Sequence, residues 1–171
     1  MDECGFSQKT TAKKTWAPSG QTPVLEMNFN WDKLSVIGGI SLKSIWFQIH
    51  EESVKSAQVT AFLDQLKRYV KGNMLIIWDG LPAHRSKVVA QYLSGQNGRI
   101  RVERLPACAP ELNPIEYLWG NVKGNDPADF PPKELWELST AAREALLKKR
   151  RRPKLIRAFW RQTELDLTDA A

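Results

Sequence analysis

The sequence feature that most constrains the fold is the short, almost wholly apolar run at 74–78. A run without polar alternation is typical of a strand that is buried on both faces of a sheet. Apolar residues at helical spacing precede it over 54–70, a second helical segment follows at 84–93, and another strand candidate lies at 100–105. Strands that are joined through helices pair in parallel by right-handed crossovers. We therefore predict an α/β fold.

The amino-terminal part of the chain adds an antiparallel component to this sheet. Residues 34–40 and 44–49 are rich in β-branched and aromatic residues and are separated by a short polar turn. This pattern predicts a hairpin. The predicted sheet is therefore mixed.

The carboxyl-terminal part is predicted to be helical. Asn113 followed by Pro114 is typical of a helix N-cap and first helical residue. The proline-rich stretch at 125–132 predicts a linker, and 133–151 and 153–163 predict two further helices. We expect a single compact domain, with a core over 1–124 and a linker and basic helices over 125–171 packed on or beside it.

Positive charge is concentrated near the end of the chain. Residues 143–161 hold nine Lys or Arg against one acid, a local charge of +8, which leaves −2 for the rest of a chain whose net charge is +6. Such a segment favours a polyanion such as nucleic acid, and a solvated helix face is the alternative. The candidate DNA-contacting residues are Lys148, Lys149, Arg150, Arg151 and Arg152.

Two acidic residues occupy positions that suit catalysis. Asp79 directly follows the predicted buried strand, where α/β sheets deliver functional side chains; a turn aspartate that caps the next helix is the alternative. Glu116 is the third helical residue after Asn113, so it can complete a capping box. The positive end of the helix dipole also favours its ionised form, which a hard cation requires.

Longer motifs surround both acids. Residues 78–84 (WDGLPAH) and 105–119 (LPACAPELNPIEYLW) resemble the second and third acidic motifs of mariner-related insertion-sequence transposases, which are DDE enzymes. Residues 2–6 (DECGF) and 15–23 (TWAPSGQTP) resemble the family's first acidic strand and the turn after it. The resemblance covers about residues 2–124.

The resemblance implies an RNase H-like fold with a five-stranded mixed sheet flanked by helices. It implies that Asp2, Asp79 and Glu116 hold two Mg²⁺ or Mn²⁺ ions. The implied reaction is cleavage of a DNA phosphodiester, followed by attack of the freed 3′ hydroxyl on target DNA. The implied partners are element ends, target DNA, further copies of the chain and a separately encoded helix-turn-helix part. We expect a cytoplasmic, nucleoid-associated bacterial protein without a membrane span.

Other residues carry weaker hypotheses. His84 can orient a carboxylate or a phosphate, or start a helix at the surface; Lys123 can contact DNA phosphate, or remain solvated. Trp119 is expected in the core, and no zinc spacing is present. Because one residue precedes Asp2, we expect its strand to fray and to position the carboxylate poorly.

Two other functions remain open at this point. The first is a catalytically inactive transposase remnant that binds DNA or a partner transposase through its basic carboxyl-terminal segment. The second is an RNase H-like nuclease that acts outside transposition. Inverted terminal repeats and an upstream reading frame for helix-turn-helix segments in the flanking genomic sequence would favour a transposase over the second function. Salt-sensitive DNA binding without cleavage would indicate the first.

Overall fold

The computed structural model describes residues 1–8, 19–20, 32–125, 132 and 134–163. Most of the 15–23 motif and of the 125–132 segment therefore lies outside the described residues. The described strands and helices, in chain order, are β1 (Asp2–Ser7), β2 (Lys33–Ile40), β3 (Ile45–His50), α1 (Ser56–Tyr69), β4 (Met74–Trp78), α2 (Lys87–Ser94), β5 (Ile100–Arg104), α3 (Pro114–Asn125), α4 (Leu135–Arg150) and α5 (Pro153–Arg161).

The predicted α/β class is confirmed, but α2 begins later than expected. The sequence pattern placed its start near residue 84, whereas the helix starts at Lys87. Ser86 is the N-cap, and its hydroxyl accepts a hydrogen bond from the Val89 amide at 3.2 Å. His84 lies in the preceding turn, where its amide donates to the Leu81 carbonyl at 3.0 Å. The side-chain cap therefore decides where this helix begins.

The strands form two hydrogen-bonded sheets rather than one continuous sheet. The first has the order β1-β2-β3 and is antiparallel, with Asp2 opposite Gly38 at one end of β1. In the second, β4 pairs in parallel with β5. The expected five-stranded mixed sheet is thus divided between β1 and β4, where one hydrogen bond of 2.7 Å joins the Met1 nitrogen to the Ile77 carbonyl.

Two hydrophobic clusters hold the helices against these strands. One cluster joins β1, β2 and β3 to α3, α4 and α5 through residues such as Phe6, Leu118 and Leu146. The other joins α1 and α2 to β4 and β5 through residues such as Phe62 and Trp78. Both clusters contain residues of β2, because alternate strand side chains point to opposite faces. No described helix has both the length and the apolar character needed to cross a membrane.

Candidate carboxylate site

Asp2 is held firmly at the start of β1. It pairs with Gly38 of β2, and its side chain is buried. The Trp119 indole nitrogen donates a hydrogen bond of 3.0 Å to the Asp2 Oδ2. The structure therefore differs from the expected frayed strand: pairing with β2 and the bond from α3 fix this carboxylate. It also confirms that Trp119 is a core residue.

Asp2 and Glu116 are electrostatically coupled. Burial raises the pKa of Asp2 from its ordinary 3.8 to about 6, and the negative charge of Glu116 is the next largest cause. Glu116 lies in the first turn of α3 and is exposed. It makes no hydrogen bond or ion pair with the residues that the structure describes. Its carboxylate is thus free to take a ligand.

Asp79 follows β4, as predicted, and is fixed through one of its oxygens. Its Oδ1 accepts from the Leu81 amide at 3.2 Å and lies 2.9 Å from the His84 Nδ1. The alternative interpretation, that Asp79 is a turn aspartate, is therefore correct for its Oδ1. It does not cap α2, because Ser86 is the N-cap of that helix. The Asp79 side chain is 38% exposed. The second carboxylate oxygen of Asp79 has no hydrogen-bond partner among the described residues. Asp79 can therefore stabilise the turn through Oδ1 and bind a ligand through its other oxygen.

His84 is fully buried between two carboxylates. Its Nε2 lies 2.7 Å from the Glu3 Oε1, and its ring stacks on Trp78 with centroids 4.4 Å apart. Burial lowers the pKa of His84, but the hydrogen bond that its imidazole donates to Glu3 and the charges of Glu3 and Asp79 outweigh burial, so the pKa is raised overall. This geometry suits a residue that orients the Asp79 carboxylate. Its burial leaves it without access to a DNA phosphate.

The structure brings Asp79 closest to Glu3 and His84. One ligand atom from each of these three residues lies within 4.8 Å of the others. Asp2 and Glu116 lie outside this group of described residues. Successive side chains of β1 point to opposite faces of the strand, so Asp2 faces Trp119 whereas Glu3 faces His84. Sequence reasoning missed Glu3. The position of Glu3 could have been inferred from the alternation along β1, because Glu3 follows Asp2 and must therefore face the opposite side of the strand.

The hydrogen bond from the Met1 nitrogen to the Ile77 carbonyl brings the start of β1 to the end of β4. Asp2 follows Met1 and Asp79 follows β4, so both acids lie near this point. Burial lowers the pKa of the Met1 amino group to about 6, while the charges of Asp2, Glu3 and Asp79 raise it. The charge of Glu116 contributes to the raised pKa of Asp2. The oxygen donors of these acids are the type that Mg²⁺ and Mn²⁺ prefer, so the residues fit such an ion.

The buried charge of Asp2 should cost stability. Because its pKa is about 6 in the folded protein and 3.8 ordinarily, the folded state holds the proton more tightly, and stability falls as pH rises through this window. Asp2→Asn should therefore raise the free energy of unfolding by about 2 kcal/mol at about pH 8, with little gain at about pH 4. Urea denaturation at both pH values measures this.

Asp64→Asn is the control variant, for which we expect a change in the free energy of unfolding opposite in sign to that of Asp2→Asn. Hydrogen bonds from Lys67 and Tyr92 lower the pKa of Asp64, so its charge contributes stability above the ordinary pKa and the contribution is lost as pH falls. Its amide variant should be less stable at about pH 8. A fall in stability of Asp2→Asn at that pH would contradict an unfavourable buried charge at Asp2.

The candidate DNA-contacting Lys and Arg residues differ in their exposure to solvent. Lys149 is buried, at 4% exposure, whereas Lys148, Arg150, Arg151 and Arg152 are exposed. Lys123 is exposed, with its Nζ 5.7 Å from the centre of the Phe6 ring. Its side chain also bonds to Cys4, whose pKa burial raises. Lys123 therefore lies on the same side of β1 as Asp2, two turns after Glu116 on α3.

The fold and the site define a class of protein, an α/β domain with Glu3, Asp79 and His84 grouped at the end of β4. The sequence profile described as DDE superfamily endonuclease matches residues 1–128. The chain belongs to this family. A search of the curated proteins gives no match to the sequence.

Solved structures with the same fold are transposase structures. The Mos1 strand transfer complex aligns with a TM-score of 0.70 at 20% identity, covering 94% of this chain and 48% of that chain. The Mos1 mariner paired end complex with Mn aligns with a TM-score of 0.70 at 17% identity, covering 98% and 54%. The catalytic domain of Mos1 mariner transposase gives 0.62 at 16% identity, covering 94% and 74%. The chain thus spans about half the length of the first two.

Proposed function

We propose that this chain is the catalytic domain of a cut-and-paste DNA transposase that cleaves phosphodiesters and transfers strands with a divalent metal. The observation that carries the proposal is the placement of two acids of the family motifs: buried Asp2 accepts a hydrogen bond from the Trp119 indole, and Asp79 follows β4, whose end lies beside Met1. The negative charge of Glu116 also contributes to the raised pKa of Asp2, and a bound cation would relieve this repulsion. Family membership and the shared fold support the same function.

Asp2, Asp79 and Glu116 are the proposed ligands of two Mg²⁺ or Mn²⁺ ions. Such ions lower the pKa of an attacking water or hydroxyl and stabilise the leaving oxygen. Crystal structures of Mos1 with Mg and with Mn support these two metals. The protein's own part is to hold the oxygens: Trp119 fixes Asp2, and the His84 imidazole, supported by Glu3, fixes Asp79.

DNA that reaches the proposed metal site would lie against the exposed acid Glu116. Lys123 lies two turns further along α3 and is exposed, so it is a proposed phosphate contact. Further exposed basic residues at the junction of α4 and α5 form the proposed basic surface; these are Lys148, Arg150, Arg151 and Arg152. We leave Lys149 and His84 out of the DNA-contacting set because both are buried.

The basic surface should make DNA binding depend on salt. Replacing Lys148, Arg150 and Arg152 together with Ala should reduce the slope of log affinity against log salt by up to about 3, since each phosphate contact contributes about 0.9. Fluorescence anisotropy with a duplex DNA at several salt concentrations measures it. The charge-matched control replaces the exposed Lys33, Arg68 and Lys87 with Ala. Equal slopes for the two triple variants would contradict a role for the basic surface.

The direct test of the function is nicking of supercoiled DNA by the purified chain in Mn²⁺ or Mg²⁺. Cleavage that requires the metal supports a transposase domain. Binding without cleavage in either metal supports the second candidate, an inactive remnant that binds DNA through the exposed basic residues of α4 and α5. We further propose that the domain acts as a homo-oligomer on two DNA ends and that a helix-turn-helix part encoded separately recognises those ends. The fold that the chain shares with Mos1 in paired-end complexes supports the first of these two proposals.

A further inference from the structure

The strand β5 forms one edge of the two-stranded sheet. It pairs with β4 along one side, and no other described strand lies along its second side. The Arg99 carbonyl and the Leu105 amide, just outside β5, both bond to β4. Because the backbone groups of successive strand residues point to opposite sides, the amides and carbonyls of Ile100, Val102 and Arg104 face away from β4. Such a row of backbone groups can pair with a further strand.

The side chains of this edge are exposed and carry both signs of charge. Arg101 and Glu103 are exposed and lie on the same face, since they are two positions apart in a strand. Neither side chain makes a hydrogen bond or an ion pair with the residues that the structure describes. Val102, which lies between them, is half-buried. The edge therefore presents a cation and an anion, both without a partner in the described part of the chain, one residue apart.

The same strand of a second copy complements this edge. In an antiparallel pair centred on Val102, Ile100 lies opposite Arg104 of the second copy, and Arg101 lies opposite Glu103 of the second copy. The outward backbone groups then fall in hydrogen-bonded pairs. Arg101 and Glu103 fall in non-hydrogen-bonded pairs, where the Cα atoms are about 4.5 Å apart and the side chains are closest. Two stabilising pairs of opposite charge therefore form across the two-fold axis.

The charges disfavour the neighbouring registers of the same pairing. A pair centred on Arg101 places this residue opposite Arg101 of the second copy, and a pair centred on Glu103 places two glutamates opposite each other. Both registers use the outward backbone groups, but like charges directly opposite each other are destabilising. Both also pair three strand residues, whereas the register centred on Val102 pairs all five residues of β5. The charge pattern of the strand thus selects one register.

We propose that two copies of this chain associate through antiparallel pairing of their β5 strands, centred on Val102. The closed two-fold dimer would join the two-stranded sheets of both copies into one four-stranded sheet. Because the paired strands run in opposite directions, the two Asp79 carboxylates, which follow β4, would lie at opposite edges of that sheet. The association needs neither DNA nor metal. Its failure would therefore leave the proposed function intact, and loss of the proposed function would leave the dimer intact.

Sedimentation equilibrium of the full chain at low salt, without DNA or metal, tests the proposal. We expect a monomer–dimer equilibrium that depends on concentration. Arg101→Glu should weaken the dimer by about tenfold or more, because it places acids opposite each other at two positions. Arg68→Glu is the matched control, since Arg68 is exposed on α1 and undergoes the same change of charge. An unmodified chain that stays monomeric, or equal dimerisation of the two variants, would overturn the proposal.

Mixing two variants of opposite charge identifies the register. Glu103→Arg should also weaken self-association, because it places arginines opposite each other. A mixture of Arg101→Glu with Glu103→Arg should form a heterodimer about as tightly as the unmodified chain dimerises, since every cross-strand pair then joins opposite charges. The chain that carries both changes should dimerise by itself again. A mixture that associates no more tightly than its separate components would contradict the pairing of Arg101 with Glu103.

Hydrogen exchange of the unmodified chain gives an independent readout. Raising the protein concentration should slow amide exchange in peptides that cover 100–104, because the outward amides of β5 become hydrogen-bonded in the dimer. β3 is the internal control, since it is an edge of the three-stranded sheet and takes no part in the proposed pairing. Protection of β3 without protection of β5 would refute the proposal.

Discussion

Replacing Glu116 with Gln should abolish metal-dependent nicking, with a loss of about 1,000-fold or more, equivalent to about 4 kcal/mol in the activation barrier. Glu116 has no hydrogen bond or ion pair to the described residues, so the amide removes a charge without breaking a structural contact. Nicking of supercoiled DNA in Mn²⁺, with the circular dichroism spectrum as a check on folding, measures the effect.

Glu111→Gln is the matched control for this loss. Glu111 is exposed on the short 3₁₀ turn before α3 and undergoes the same change of charge. We expect its nicking rate to stay within about twofold of the unmodified protein, because long-range charge effects are screened by salt. Full nicking by Glu116→Gln would remove Glu116 from the proposed ligands. An equal loss in both variants would attribute the effect to net charge.

Replacing Gly38 with Ala should destabilise the protein by about 1–3 kcal/mol, the usual cost of overpacking a core. A Cβ at this position would lie 2.7 Å from the Trp119 ring and 3.1 Å from Ile115. The ring is buried and donates to Asp2, so it cannot move without displacing the carboxylate. We therefore expect nicking to fall together with the free energy of unfolding. Urea denaturation measures the stability.

Gly39→Ala provides the control, since it lies beside Gly38 in the same strand. A Cβ there would meet its nearest atom, in Phe62, at 3.6 Å, which is ordinary contact. We expect no loss of stability, since alanine also restricts the unfolded chain more than glycine does. If the two variants unfold at the same urea concentration, the close packing of Trp119 on β2 does not hold in solution.

Local patterns predicted the elements well. The bounds of β4 follow directly from its apolar run, and the start of α3 follows from Asn113 and Pro114. The start of α2 was missed because a side-chain cap at Ser86 outweighed the periodicity. The predicted five-stranded sheet is seen only in part, as a three-stranded and a two-stranded sheet among the described residues, because no local pattern fixes whether β1 pairs with β4.

The contacts that orient the acids could not be predicted in the same way. His84 and Glu3 are 81 positions apart, and Trp119 and Asp2 are 117 positions apart. No local pattern encodes such pairs, since tertiary packing creates them. The burial of Lys149, in contrast, was available from the sequence: it falls on the helical stripe formed by Leu138, Ala142 and Ala145.

Diffraction from crystals soaked in Mn²⁺ distinguishes the possible ligand sets, because the anomalous signal of manganese locates the ion independently of its ligands. We expect a peak within bonding distance of oxygens from Asp2, Asp79 and Glu116. A peak held instead by Glu3, Asp79 and His84, the group whose ligand atoms already lie within 4.8 Å, would contradict this expectation, as would no peak at any of these residues.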